Sequence, residues 1–372
     1  MENRLEKLRK LSESGNISKL KKYRQNDFIR NTVLDIFIPI FAIAVLNENL
    51  EVCQWLNSEF NLNEENIKRK NNKIFRRAVY SGNLELLKWL EDTFNLTEDD
   101  IKCKNNFAFR YACENGHLEI CNWINKICEL TNEDVRDDRN YAFRWAASNG
   151  HLEVCKWLVN TFKLTKDDVC CKSNFAFRYA ASGGHLEICQ WLHDAFNLTK
   201  TDVTCKCNYA STFASCNGKL EMLKWLYSTF NLTREDIIKD MLPVSYAASN
   251  GNLDVLKWMH STFNLTNDEI NSGRFYLNWV AENGHIKVFE WLNLTFKLKI
   301  ENIWKYYGNN GTIIRAAIKK GQLEMLKWLF ETYKVEKLDS DFRDCLLAAS
   351  AYGHPEIVEW LKNNIHTEMK NY

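Results

Sequence analysis

The sequence carries no surplus of either charge. Its 49 Lys and Arg residues stand against 48 Asp and Glu, a formal net charge of +1, which removes the general positive field that nucleic acids or anionic membranes usually need. The first ten residues are charged and lack the apolar run of a secretory signal. The longest greasy stretch, Phe37 to Leu46, is ten residues and contains Pro39, too short to cross a bilayer as a helix. Thirteen cysteines are an odd number, and their spacing follows a longer period rather than a compact secreted framework, so reduced thiols in the cytoplasm of a cell are expected. Neither a P-loop, a GxGxxG turn, an HExxH helix nor a nucleophile elbow occurs. No enzyme and no cofactor are therefore expected.

What the sequence does have is a period. Hydrophobic residues make up 45%, with 21 Phe, 14 Tyr and 13 Trp, ample for a continuous core. Ten tryptophans share one register: Trp55, Trp89, Trp123, Trp157, Trp191, Trp225, Trp258, Trp291, Trp328 and Trp360, most of them 34 residues apart. Seven residues before each stands a glycine in nine of the ten units, among them Gly116, Gly150 and Gly184, with Glu48 as the exception. A glycine fixed between two apolar segments reads as a helix end in the left-handed region. Eleven residues before the tryptophan the residue is small, as in Ala78, Ala112, Ala146 and Ala180, which lets a first helix approach its neighbours closely. Each unit therefore reads as helix, tight turn, helix, and Trp89, Trp123, Trp157, Trp191 and Trp225 are assigned to the structural core of the repeat.

The second helix shows the 3.6 period plainly. Leu152, Val154, Cys155, Leu158 and Phe162 surround Trp157 on one face. An acid opens that helix in nine of ten units, as Glu85 and Glu153 do, complementing the positive end of its dipole. After it comes a threonine followed three residues later by an acid, as in Thr97 and Asp100, Thr165 and Asp168, and Thr233 and Asp236. This is the capping-box pattern with Asp in place of Glu, and it predicts a short helical connector.

The stretch from Ala146 to Leu158, Ala-Ala-Ser-Asn-Gly-His-Leu-Glu-Val-Cys-Lys-Trp-Leu, resembles the core of the ankyrin repeat, and Gly116-His117-Leu118-Glu119 and Gly184-His185-Leu186-Glu187 repeat it. The resemblance covers residues 37 to 365. It implies an all-α solenoid of stacked helix-turn-helix repeats used for protein recognition, with no chemistry of its own. Two departures accompany it. The usual Thr-Pro-Leu-His of the first helix is replaced by segments such as Phe175-Ala176-Phe177-Arg178, and the Leu-Thr capping-box connector stands in place of most β-hairpin fingers. Rich in Asn, Lys and Trp and poor in Pro, the chain is similar to the divergent arrays of large amoeba-infecting DNA viruses, which implies action in a host cytoplasm. The tetratricopeptide class shares the 34-residue period but would place a proline near each repeat end, and only three prolines occur here.

The expected organisation is a degenerate polar N-terminal cap at 1–36, where Lys22 replaces the tryptophan. Ten repeats follow at approximately 37–70, 71–104, 105–138, 139–172, 173–206, 207–239, 240–272, 273–309, 310–341 and 342–366, then a polar tail at 367–372. Caps keep the terminal apolar faces of such arrays out of water. An insertion spanning Tyr306 to Gly311 accounts for the 37-residue interval between Trp291 and Trp328.

Candidate chemistry is thin. Five histidines, including His117, His151 and His185, follow the repeat glycine, and no partner nucleophile recurs with them. Cys53, Cys121, Cys155 and Cys189 alternate with leucines in one register and read as core thiols. Cys170, Cys171, Cys205 and Cys207 fall in adjacent repeats, but neither CC nor CxC is the common zinc knuckle, and no metal is assigned. Asn-Leu-Thr triplets such as 95–97 and 231–233 match the glycosylation pattern, yet most of their threonines are needed as helix caps.

The sharpest binding candidate is a column of arginines in the first helix: Arg76, Arg110, Arg144 and Arg178, resumed at Arg315. Stacked guanidiniums would form a positive stripe suited to carboxylates or phosphates, or each could brace a contact between repeats. One position later run Tyr111, Trp145 and Tyr179, aromatic residues that serve either as core or as recognition anchors. The expected function is a non-enzymatic scaffold that binds a partner protein through the first-helix surface as a monomer. A self-assembling structural component is the alternative.

Overall fold

The computed structural model describes residues 2–24, 37–271, 277–298, 312–333 and 339–364. Regular structure among them is helical throughout, with no strand. The insertion at Tyr306 to Gly311 and the expected polar tail at 367–372 lie outside the described residues. Contacts divide the chain into two compact units, residues 1–177 and 178–372.

In the first unit, pairs of helices follow the repeat: Phe37–Leu46 with Leu50–Phe60, Glu64–Ser81 with Leu84–Phe94, Glu98–Glu114 with Leu118–Cys128, and Asn132–Ser148 with Leu152–Phe162. Successive first helices pack on one another in chain order. The second unit repeats the plan with Cys205–Cys216, Leu242–Ser249, Leu277–Glu282, Ile313–Lys319 and Asp339–Tyr352 as first helices. The alanine register explains the close stacking, since Ala44, Ala78, Ala112 and Ala146 are fully buried, as are Ala214 and Ala247 in the second unit. Phe75, Phe109 and Phe143, three residues before these alanines, are equally enclosed and fill the space between layers.

The turn between the two helices needs glycine for two reasons. Gly82, Gly116 and Gly251 have φ of 85°, 78° and 77°, a region that costs L-residues about 1–2 kcal/mol. A Cβ there would also overlap the imidazole of the next repeat, His117 over Gly82, His151 over Gly116 and His285 over Gly251. The histidine after the glycine is thus the piece that closes one repeat onto the previous one. Other repeats use another polar side chain in the same seat, Asn252 over Gly218 and Gln322 over Gly284.

The connectors are capped as the sequence predicts, and aspartate serves fully in the box. The Thr131 N–H donates to Asp134 at 2.9 Å and the Asp134 N–H donates to Thr131 Oγ1 at 3.2 Å. Thr97, Thr165 and Thr233 repeat the pattern. Asn95, Asn197, Asn231 and Asn264 each take a left-handed conformation just past the preceding helix, which asparagine tolerates better than most residues. The Asn-Leu-Thr triplet is therefore one helix stop followed by one helix start.

Just past the connector the backbone takes a form that the sequence pattern does not predict. Lys104, Asn105 and Asn106 all have left-handed backbone, as do Asp138, Arg139 and Asn140, and Lys172, Ser173 and Asn174. A left-handed turn of three residues thus stands where a β-hairpin finger would. In these three its last residue is asparagine, and Asn72, Asn106, Asn140, Asn174 and Asn208, which share that register, are all buried. Within the first unit the Asn72 and Asn140 side-chain amides donate at 2.9 and 3.0 Å to the carbonyls of Asp100 and Asp168 in the next connector. Asn106 donates to the Asp134 carboxylate at 2.9 Å, and Asn208 reaches Asp236 in the second unit.

Candidate protein-interaction surface

Within each unit arginines of the column contact aromatic neighbours. Four of the guanidiniums lie over the ring just past the next left-handed turn: Arg76 over Phe107 at 4.7 Å, Arg110 over Tyr141 at 4.7 Å and Arg144 over Phe175 at 4.9 Å in the first unit, and Arg178 over Tyr209 at 4.8 Å in the second. Arg144 also donates through Nε to the Arg139 carbonyl at 2.9 Å and through Nη2 to the Asp138 carbonyl at 2.8 Å. It thereby satisfies two of the carbonyls that the left-handed turn leaves unpaired. Arg144 and Arg178 are only 3% and 7% exposed. Arg76 and Arg110 are half-buried, and Arg315 is exposed. The stripe of displayed positive charge that the sequence suggests is, at Arg144 and Arg178, committed to contacts inside the array.

The residues one position later remain partly open. Tyr111 and Trp145 in the first unit and Tyr179 in the second are half-buried, and each meets rings of its own unit. Phe107 stacks on Tyr111 at 3.9 Å, and Trp145 lies 5.8 Å from Tyr141 and 5.6 Å from Phe175. In the second unit Tyr179 meets Tyr209 at 5.2 Å, Tyr209 stacks on Phe213 at 4.0 Å, and Tyr246 is parallel to Trp279 at 5.8 Å. The Tyr141 hydroxyl donates to Glu114 at 2.8 Å, and burial together with that carboxylate pushes its ionisation well above the usual phenol range. Burial and the neighbouring Tyr179 raise Tyr209 to about 12. Both phenols are neutral donors at physiological pH.

A line of ion pairs runs along the connectors. Lys68 pairs with Asp100 at 2.5 Å, Lys102 with Asp134 at 3.3 Å, and Arg136 with Asp168 through two bonds of 2.7 and 2.9 Å. In the second unit Lys200 pairs with Asp236 and Arg234 with Glu269. The Arg136 guanidinium is the first cause of an Asp168 carboxyl held far below the ordinary range. Burial alone would raise Asp134, but hydrogen bonds from Thr131 and Asn106 and the Lys102 charge outweigh it and lower the carboxyl to about 2. These acids are occupied, and none is poised for proton transfer.

The repeat tryptophans Trp89, Trp123, Trp157, Trp191 and Trp225 are half-buried. Trp157, for example, meets Phe162 of its own helix edge-on at 5.6 Å and Phe109 of the previous repeat at 6.1 Å. The glycines of those repeats, Gly116, Gly150 and Gly184, all have positive φ. Cys53, Cys121, Cys155 and Cys189 are buried. Cys170 and Cys171 are half-buried in the first unit, where the Cys171 thiol donates to the Arg139 carbonyl at 3.1 Å. Cys205 is half-buried in the second unit, and the Cys207 side chain lies outside the described residues. The buried asparagines of the left-handed turns escaped sequence reading, although Asn72, Asn106, Asn140, Asn174 and Asn208 recur at a strict 34-residue spacing that could have revealed them.

Helix pairs joined by glycine turns and locked by side chains from the following repeat define a helical-repeat protein. A family model of ankyrin repeats in three copies matches residues 111–205 and 211–302, and a model of ankyrin repeats in many copies matches 313–361. The chain belongs to the ankyrin repeat family. None of the curated proteins matches it. Ankyrin repeats are protein-interaction modules, typically non-enzymatic, so the chain carries a protein-binding domain. Among the described residues no helix is long and apolar enough to cross a membrane.

Proposed function

We propose that this chain is a non-enzymatic intracellular scaffold that holds a partner protein on the surface of its first helices. Tyr111 and Trp145 supply the anchors in the first unit, with Arg76 and Arg110 beside them, and Tyr179 and Arg315 hold the same registers in the second unit. The buried Arg144 and Arg178 position the rings from within. One observation carries the reading: the aromatic residues are partly open to solvent, yet each touches another ring, and an arginine from the preceding repeat lies over several of those neighbours. Anchors already held in place lose little conformational freedom when a partner docks, and aromatic residues with arginine dominate the energetics of such contacts.

The test is quantitative affinity capture with the wild-type chain, a Trp145→Ser/Tyr179→Ser variant and a control carrying Lys156→Glu and Lys224→Glu on the second helices. A partner kept by wild type and control but reduced at least about tenfold by the aromatic variant, equivalent to about 1.4 kcal/mol, is the expected result. Equal retention by all three proteins would overturn the assignment.

A further inference from the structure

One left-handed turn of the first unit is unevenly charged. Asp138 opens the turn of residues 138–140, and its side chain is 46% exposed. Three cations converge on its carboxylate: Arg110 Nη1 at 4.0 Å, Arg144 Nη2 at 3.8 Å and Lys172 Nζ, from the next left-handed turn, at 3.7 Å. All three separations exceed the about 2.7–2.9 Å of a charge-assisted hydrogen bond, whereas Arg136 and Asp168 in the neighbouring connector meet at 2.7 Å. Asp138 is a shared and loosely held counterion.

Its cations retain capacity for more. Arg144 is 3% exposed, and its Nε and Nη2 donate to neutral carbonyls, which satisfy its hydrogen bonds but do not balance its charge. Arg110 Nε is buried with no hydrogen-bond partner among the described residues. Arg139 is exposed, as is Lys104, which holds the register of Asp138 in the preceding turn. The acids nearby are Asp137, which accepts the Asp138 N–H at 2.7 Å, and Glu114, which accepts the Tyr141 hydroxyl. Five cations thus face three acids here, in a chain whose charges otherwise nearly cancel. The patch borders the aromatic surface. Arg110 lies over Tyr141 and Arg144 over Phe175, and both rings contact Trp145.

We propose that the partner held on this surface presents an acidic peptide segment, whose carboxylates seat beside Arg110, Arg139 and Lys172 and displace Asp138 from its shared position. The inference rests on the protein-binding surface proposed above and names the chemistry that surface takes. Lysine and arginine together accept carboxylates in more than one geometry. A nucleic acid fits less well, because the positive excess is confined to the turn. The connectors around it expose Asp99, Glu133 and Asp167, which would repel a long polyanion.

Fluorescence anisotropy with the full chain tests it. The probes are a labelled peptide of glutamates around a single leucine, the same peptide with glutamine for glutamate, and oligothymidylate. The glutamate peptide is expected to bind at least about tenfold more tightly than the glutamine peptide at low ionic strength, and the difference should shrink at high. Arg139→Glu/Lys172→Glu is expected to abolish that difference. Asp138→Asn removes the competing carboxylate while keeping a residue suited to left-handed backbone. It is expected to tighten binding of the glutamate peptide about two- to fivefold, a gain that damage to the fold cannot produce. Equal binding of the two peptides, glutamate binding unmoved by these charge variants, or tighter binding of oligothymidylate would overturn the proposal. Peptide binding that follows the charge variants but is indifferent to Trp145→Ser would uphold the carboxylate seat and sink the aromatic surface instead. A captured partner lost with Trp145→Ser/Tyr179→Ser but fully kept by Arg139→Glu/Lys172→Glu would do the reverse.

Discussion

At the residue scale, two positions show how little latitude the repeat leaves. Gly116 combines left-handed backbone with a histidine ring over its α-carbon, whereas Gly353 has the same backbone with no described atom above it. Alanine at Gly353 is expected to cost only the conformational term, about 1 kcal/mol, and at Gly116 that term plus displacement of His151. Urea midpoints would read the difference, and equal shifts would show that the histidine contact contributes nothing. Arg144 is the second case. Its fork reaches two carbonyls while its plane lies over Phe175, geometry that lysine cannot reproduce. Arg144→Ala and Arg144→Lys are both expected to destabilise the first unit by about 2–4 kcal/mol. A lysine variant with wild-type stability would reduce the guanidinium to a mere point charge.

The connector is the element whose behaviour depends on pH. Asp100, Asp134, Asp168 and Asp236 all ionise at lower pH in the folded chain than ordinary aspartates do, against an unfolded value near 3.9. A depressed folded value stabilises above the unfolded one, and that stability drains away as pH falls from about 4 to 5 through the folded values, about 2 for Asp134. Arg136→Gln removes the first cause of the Asp168 shift, so its acid unfolding, followed by circular dichroism, should begin at higher pH than wild type. Coincident acid transitions would count against the ion pair as a source of stability.

The same elements show what could be read beforehand. Trp157, Gly150 and Ala146 revealed the helix pair because apolar periodicity and glycine placement derive from local geometry. Thr131 and Asp134 announced the connector for the same reason. The turn at Asp138, Arg139 and Asn140 was hidden, since no local preference favours three left-handed residues in succession. It is held from outside, by Arg144 five residues later and by the Asn140 bond to the following connector. Burial of the arginine column was hidden likewise, because it depends on a ring supplied by the next repeat.

At the scale of the whole molecule, seven cysteines among the described residues are buried and no disulfide joins the described ones. Burial pushes Cys53 up to about 12 and Cys128 to about 11, leaving them as unreactive thiols at neutral pH. A maleimide probe is expected to modify Cys170, Cys171 and Cys216 in native protein, and Cys121, Cys155 and Cys189 only in denaturant. Peptide mass spectrometry checks this, and native labelling of Cys155 would reveal opening of the first unit well below global unfolding.

The asparagine that ties each left-handed turn to the connector one repeat ahead has an evolutionary corollary. Asn72 reaches Asp100 and Asn140 reaches Asp168, each across 28 residues. Losing or gaining one amino acid inside that span would detach the donor from its acceptor, whereas duplicating or excising a complete module would leave every such tie intact. Gene-length variation in this lineage should therefore be quantised, with indels tolerated as whole modules and purged as fragments wherever the tie is present.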